Sequence, residues 1–268
     1  MSKSITIFTI YIIFSVLSLG SCTQGGQHPS TLSMNGPDTP NIHDETLGSP
    51  DIPSQEVFKT KIEEYKNRFG VPQITWEKDE QEHLCITINT QRLRITSVTM
   101  DMDDVSNYHQ QLFGNPQVMG KYATGQTKTE EETQQRIKGW VARWDKGNPF
   151  AGLVVLLKHS QQEEEFLGHV ILGGGDEDNS SEMAYMIRAD QWNQGYGYEA
   201  AGALVLFLGP EIVKHGYKLP NGQTFNHIIA TSREDNIPSV KILQKLGFVA
   251  YKRTEKYGHL RDHYKLTM

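Results

Sequence analysis

The chain has 268 residues, 37% of them hydrophobic, enough for one sizeable core with some residues left outside it. Lysine and arginine number 26 against 32 acidic residues, a formal net charge of -6 with no long basic run, which argues against nucleic acid or an anionic membrane as the main partner. Two cysteines, Cys22 and Cys85, exclude a disulfide-rich scaffold and a cysteine-built zinc site, so no metal is expected.

Lys3 precedes an apolar run over residues 5–19, followed by Leu19-Gly20-Ser21-Cys22. A charged start, a short apolar core and small residues before a cut site describe a secretory signal, and the run is shorter than the roughly 20 residues of a membrane span. The tetrapeptide is similar to a bacterial lipobox. Residues 1–22 are therefore read as a signal or lipoprotein-type signal segment. An uncleaved anchor, or an upstream extension with Met34 as the true start, are the alternatives. Residues 23–55 are rich in Gly, Pro, Ser, Thr and Asn, show no hydrophobic period, and read as a disordered linker.

Residues 56–89 read as a small N-terminal extension. Val57, Phe58, Ile62, Tyr65 and Phe69 recur at helical spacing until Gly70 and Pro72, and strands are predicted at 73–77 and 84–89. The main domain is placed at 90–268. It opens with a strand over 92–98 and a helical face carried by Val105, Tyr108 and Leu112. Thr129 and Glu132 form a capping box that starts a helix with Ile137, Trp140, Val141 and Trp144 on one stripe, the two tryptophans serving as core anchors.

Strands follow at 153–158 and 166–172, then a loop through Gly173, Gly174 and Gly175 to Asn179, and a strand at 183–187. An apolar helix over 199–208, a strand at 225–231, a helix over 239–246 ended by Gly247, and strands at 249–253 and 263–267 complete the chain. This order is an α/β (α+β) pattern around one mixed sheet.

The chemistry is concentrated in Trp192-Asn193-Gln194-Gly195-Tyr196-Gly197-Tyr198-Glu199-Ala200. Alternate glycines at the start of a helix bring backbone N–H groups to one point, where the orphan donors and the positive dipole end favour an anion such as a diphosphate. The same residues satisfy a dinucleotide fingerprint. That reading also needs a strand ending in an acid about 20 positions on, and the nearest acid, Glu211, precedes the next segment instead of ending it. A second unit follows: a strand, Asn236 at a helix cap, Pro238 in the first turn, and Gly247 at the C-cap.

Together these stretches resemble the GNAT superfamily of N-acetyltransferases, most closely the branch that acetylates ribosomal-protein N-termini. The resemblance is carried by Thr90-Gln91-Arg92-Leu93-Arg94, Asn115-Pro116-Gln117-Val118-Met119, Phe166-Leu167-Gly168, Glu182-Met183-Ala184-Tyr185-Met186-Ile187, the glycine loop, and residues 236–248. It implies a single domain with a mixed, splayed central sheet flanked by helices, using acetyl-CoA as co-substrate. It further implies a diphosphate on Asn193, Gln194, Gly195, Tyr196 and Gly197, a pantetheine arm along Met186, Ile187 and Arg188 beside a splayed neighbour at 228–231, and contacts from Asn236 and Ser239. Glu182 matches a carboxylate used as base in some relatives. Gln244 stands where many relatives carry a tyrosine acid, and Trp192 where the wider family has Arg or Gln.

The expected function is acetyl transfer from acetyl-CoA to a primary amine, either a protein N-terminus or a small amine, by direct attack in a ternary complex. Two other readings stand beside it: a non-catalytic CoA-binding or interaction module tethered at a membrane, motivated by the N-terminal segment, and a dinucleotide-dependent oxidoreductase. Localisation divides the same way, exported or membrane-anchored by the signal, cytoplasmic by the supply of acetyl donor. His259 and His263 read as a surface pair on a strand and its loop.

Overall fold

Alternating and continuous apolar runs give the chain its strands, and these join in one mixed sheet in the order β1-β9-β10-β8-β7-β6-β5-β4-β3-β2. The strands are β1 (Glu45–Thr46), β2 (Gln73–Lys78), β3 (Leu84–Asn89), β4 (Leu93–Ser97), β5 (Gly152–Lys158), β6 (Glu164–Gly174), β7 (Ser180–Ile187), β8 (His227–Ser232), β9 (Val249–Lys256) and β10 (His259–Thr267). The computed structural model describes residues 45–46, 55–159, 163–175 and 177–268. The predicted signal segment and nearly all of the predicted linker lie outside the described residues. Among the described residues, no helix is long and apolar enough to cross a membrane.

Every neighbouring pair is antiparallel except β7 with β8. Helices cover both faces. On one lie α2 (Met102–Asn107), a wide π-helical continuation (Tyr108–Phe113) and α4 (Glu130–Trp144), with the short α3 (Pro116–Met119) between them in the chain. Here Trp140 stacks on the His169 ring at 4.9 Å, and Trp144 Nε1 donates to the Gly152 carbonyl at 3.0 Å. Both tryptophans are buried, as core anchors should be. The capping box at Thr129 and Glu132 forms with both of its bonds, so the sequence signal and the helix start coincide.

On the other face lie α1 (Gln55–Phe69), α7 (Ile237–Lys245), and α5 (Tyr196–Gly202), which runs through a π-helical stretch (Ala203–Leu208) into α6 (Gly209–Lys214). Tyr65 of α1 is fully buried against Phe207 and Tyr198 and donates its hydroxyl to the Glu199 carbonyl at 3.0 Å. The extension thus packs on the same core as the main domain, and β2 and β3 continue its sheet beyond β4.

Three expectations need correction. Glu45 and Thr46, read as linker, pair with Arg253 and Lys252 along the outer edge of β9 and extend the sheet by one short strand. Gly173 and Gly174, read as loop, belong to β6 opposite Glu182 and Ser181; a ladder tolerates glycine where neighbouring strands fix its backbone. Asn236 occupies the cap position of α7, but its side chain makes no capping bond.

Candidate functional site

The site is created where one ladder stops. β7 and β8 pair at Ser180–His227, Ser181–Ile228 and Glu182–Ile229, and the parallel ladder ends there. Beyond Glu182, β7 remains paired with β6 as far as Ile187, so its other edge is open. Arg188 N–H donates to the Leu167 carbonyl at 2.9 Å. Antiparallel alternation then turns the backbone groups of Ile187, Tyr185 and Met183 away from β6 and into the gap. Trp192 Nε1 caps the Ile187 carbonyl from that side at 2.7 Å, which gives the unexpected tryptophan a local role. The neighbour expected to be splayed over 228–231 is still paired at Ile228 and Ile229, so the separation starts at Ala230.

The gap opens into a cavity of about 630 Å³. At the C-terminal end of β7 its wall is the glycine loop, with Asn193 at φ 63° and Gly195 at φ 84°, a left-handed conformation that costs Gly195 nothing for want of a Cβ. The first intrahelical bond runs from Glu199 N–H to the Gly195 carbonyl at 3.1 Å, leaving Tyr196, Gly197 and Tyr198 N–H as the open donors of the helix start. Arg68 Nη2 and Arg92 Nη2 lie 3.5 and 3.6 Å from where a Gly195 Cβ would stand.

Glu199, fully buried, anchors this turn: its carboxylate accepts from Thr90 Oγ1 at 2.6 Å, Arg92 N–H at 3.0 Å and Arg92 Nε at 2.7 Å. Arg92 also donates to the Gln194 carbonyl at 3.0 Å. A buried charge must be paired, and here the pairing ties the loop to the start of β4. Open amide donors backed by two guanidinium groups fit a diphosphate.

Strand alternation divides the site between the two sheet faces. Tyr185 donates its hydroxyl to Ser239 Oγ at 3.1 Å, and a Gly197 Cβ would stand 3.1 Å from Ile242 Cδ1, so these residues share the α5 and α7 face. Glu182 points to the opposite face, as does Met186, whose cross-strand partner His169 packs on Trp140. Thr231 and Arg261 share that second face, joined by Arg261 Nε donating to Thr231 Oγ1 at 3.1 Å. Tyr122 and Gln117 wall the cavity along with them. Glu182 pairs with Lys256 at 3.5 Å.

Of the residues singled out in the sequence, Glu182, Met186, Ile187, Asn193, Gly195, Tyr196, Gly197, Asn236 and Ser239 line the cavity. Arg188 and Gln194 do not. The Arg188 guanidinium is held by Asp190 and Glu165, and its N–H by Leu167; the Gln194 side chain donates to Gln191 Oε1 at 2.8 Å. Gln244 is exposed and away from the cavity. Burial pushes the Tyr185 phenol up to about 12, with the Ser239 bond opposing, and raises Tyr122 as well; both stay protonated at neutral pH.

Sequence reasoning missed Arg261, Tyr122 and Tyr257 in the wall and the Glu199 anchor behind it. Only Glu199 had a signal: a lone acid opening an otherwise apolar helix is a buried charge that demands a partner. His263 lies on β10 as expected, and His259, read in the loop before it, is the first residue of the same strand. Among the described residues no cluster could hold a metal ion.

Comparison with known proteins agrees with this geometry. Residues 92–249 match the family described as acetyltransferase (GNAT) domain. The uncharacterized N-acetyltransferase YnaD of Bacillus subtilis is 28% identical over 115 residues, 43% of this chain; the chain spans 59% of that relative's length. A GNAT-family acetyltransferase structure from Bacillus anthracis superposes with a TM-score of 0.53 at 19% identity, over 68% of this chain and 98% of that one. RimL, a ribosomal L7/L12 alpha-N-protein acetyltransferase solved with coenzyme A, gives 0.50 at 16% identity, over 66% and 94%. The chain belongs to the GNAT acetyltransferase family.

Proposed function

We propose that this chain transfers an acetyl group from acetyl-CoA to a primary amine, the α-amine of a peptide or a small molecule, in a ternary complex. The observation that carries this reading is the end of the β7–β8 ladder at Glu182–Ile229, which leaves a backbone edge open beside a cavity that reaches both sheet faces. On the α5 and α7 face, Tyr196, Gly197 and Tyr198 N–H would hold the diphosphate, with Arg68 and Arg92 adding positive charge. The open edge at Met183 and Tyr185 would pair with the pantetheine amides, and the uncommitted Asn236 amide and Ser239 would add side-chain contacts. Acetyl-CoA, once bound, supplies a thioester whose carbonyl carbon accepts the amine.

From the opposite face the acceptor nitrogen approaches this carbon. The ammonium first gives one proton to the base, the freed lone pair forms the C–N bond as the C–S bond breaks, and the nitrogen then loses its second proton while the departing thiolate takes one up, so that a thiol and one net proton are released. An N–H of the open β7 edge stabilises the developing oxyanion. Glu182 stands on the acceptor side as the base, and Tyr122, protonated at neutral pH, is a proton donor there. An α-amine with pKa near 8 gives up its proton at pH 7 for about 1.3 kcal/mol, against about 4.6 for lysine. This modest machinery therefore suits α-amines.

The test is thiol release from acetyl-CoA by the purified protein across a panel of peptide N-termini, small amines and lysine side chains. Release that depends on an α-amine is the expected result. An acetylated enzyme trapped without acceptor, or CoA binding with no release for any amine, would overturn the proposal.

A further inference from the structure

A buried cation with one unpartnered donor lines the acceptor side of the cavity. Arg261 on β10 is only 6% exposed and lines the cavity. Its Nε and Nη2 are held by Thr231, through Oγ1 at 3.1 Å and the carbonyl at 2.9 Å. Its Nη1 is buried with no hydrogen-bond partner. No carboxylate pairs with this guanidinium among the described residues. A buried charged donor left unmatched is expensive, and a guanidinium held by two fixed bonds is pre-oriented to receive a planar anion.

Elsewhere in the wall Lys121 is bonded to Asp235, which Arg233 also holds, and Lys241 belongs to α7 on the other face, so Arg261 and Glu182 are the charges left on this one. The phosphate-binding loop does not account for Arg261, because α5 and α7 stand on the other sheet face. His259, two residues from Arg261 and on its face, reaches the Thr124 carbonyl at 3.3 Å, which fixes that face as the one under residues 113–125. The Tyr257 ring lies 5.7 Å from the guanidinium, and Tyr257 holds a left-handed backbone at φ 60° in the β9–β10 turn, where a bulky side chain is strained. Gly258 also has a positive φ, 74°, as a two-residue hairpin turn requires, and this turn sets an aromatic ring beside Arg261 at the cavity wall.

We propose that Arg261 receives a carboxylate carried by the acceptor, so that the substrate is an amine bearing an acidic group close to its nitrogen. This rests on the acetyl-transfer reading above and names its substrate class. Glu182 serves the amine and Arg261 the anion, from the same sheet face.

The experiment compares matched acceptors by thiol release from acetyl-CoA: an α-amino acid against its amide, and a short peptide with Asp at its second position against the same peptide with Asn. The carboxylate-bearing member of at least one pair is expected to have the higher kcat/KM by about tenfold or more, the worth of a charge-assisted hydrogen bond. The pair that responds separates a free amino acid from an acidic peptide as the source. In Arg261→Gln the ratio should fall to near one, carried by KM, and Arg261→Lys should restore part of it. CoA affinity, measured alongside by calorimetry, reports whether each variant is folded. Wild-type ratios near one in both pairs would overturn the proposal while leaving acetyl transfer standing, as would equal losses for both members in Arg261→Gln. Absence of thiol release with every amine would sink the transfer reading and this one with it.

Discussion

Replacing His169 should change how the fold responds to acid. The ring is fully buried on β6, stacked on Trp140 at 4.9 Å and 22°, and neither ring nitrogen has a hydrogen-bond partner. Burial holds its pKa down to about 3, with the nearby Arg136 charge adding to the effect. An unfolded histidine titrates near 6.5, so between about pH 6.5 and 3 the unfolded chain binds one proton more than the folded one. The stability conferred by a neutral His169 is complete above about pH 6.5. It is lost at about 1.4 kcal/mol per pH unit as pH falls, roughly 2 kcal/mol by pH 5. Against a typical total of about 5–15 kcal/mol this is a large share. His169→Leu, of similar volume and unable to titrate, should therefore lose stability less steeply than wild type between pH 6.5 and 5, by about 1.4 kcal/mol per unit. Urea unfolding followed by circular dichroism at several pH values measures both slopes. Parallel slopes for variant and wild type would refute the reasoning, whatever the offset between them at neutral pH.

Further outcomes follow from the loop and its anchor. Glu199→Gln puts an amide where Thr90 Oγ1, Arg92 N–H and Arg92 Nε all donate; it should cost about 2–4 kcal/mol in urea unfolding and weaken CoA binding measured by calorimetry. Gly195→Ala forces a left-handed backbone on alanine, at about 1–2 kcal/mol. Gly216→Ala, at φ 79° with open space around it, should cost the same stability yet leave CoA affinity unchanged, while Gly195→Ala lowers it; equal affinities would remove the loop from the binding site. With the Tyr185 phenol pushed up to about 12, Tyr185→Phe should leave the shape of the pH–rate profile between pH 6 and 10 unaltered, and a lost limb in that range would contradict its placement as a neutral group.

Local signals in the chain were readable because local physics fixes them. The Thr129 capping box, the tryptophan stripe of α4 and the glycine loop each depend on residues a few positions apart, and each formed as expected. What depends on distant partners was not readable. Nothing within residues 180–187 says that pairing with β8 stops at Glu182; that depends on where a strand about 45 residues further along the chain parts from it, after Ile229. Arg261 lies just before the strand predicted at 263–267, with no motif around it, and its burial depends on Thr231 of β8, about 30 residues earlier in the chain, which holds the guanidinium. Arg188 stands outside the cavity lining for a related reason: its side chain and N–H are held by Asp190, Glu165 and Leu167, none of which motif spacing reveals. Wide helical turns at 108–113 and 203–208 also left no trace in apolar spacing.

Kinship and packing draw the borders of this molecule differently. The stretch shared with relatives begins at Arg92, but Tyr65 and Arg68 brace the glycine loop from behind, through the Glu199 carbonyl and beside Gly195. Excising the chain at the shared border would discard that brace. It would also strip β3 from β4 and bare a row of backbone amides ready to recruit a neighbouring molecule. The smallest piece able to hold its own catalytic floor in place starts a helix and two strands earlier than ancestry alone would suggest.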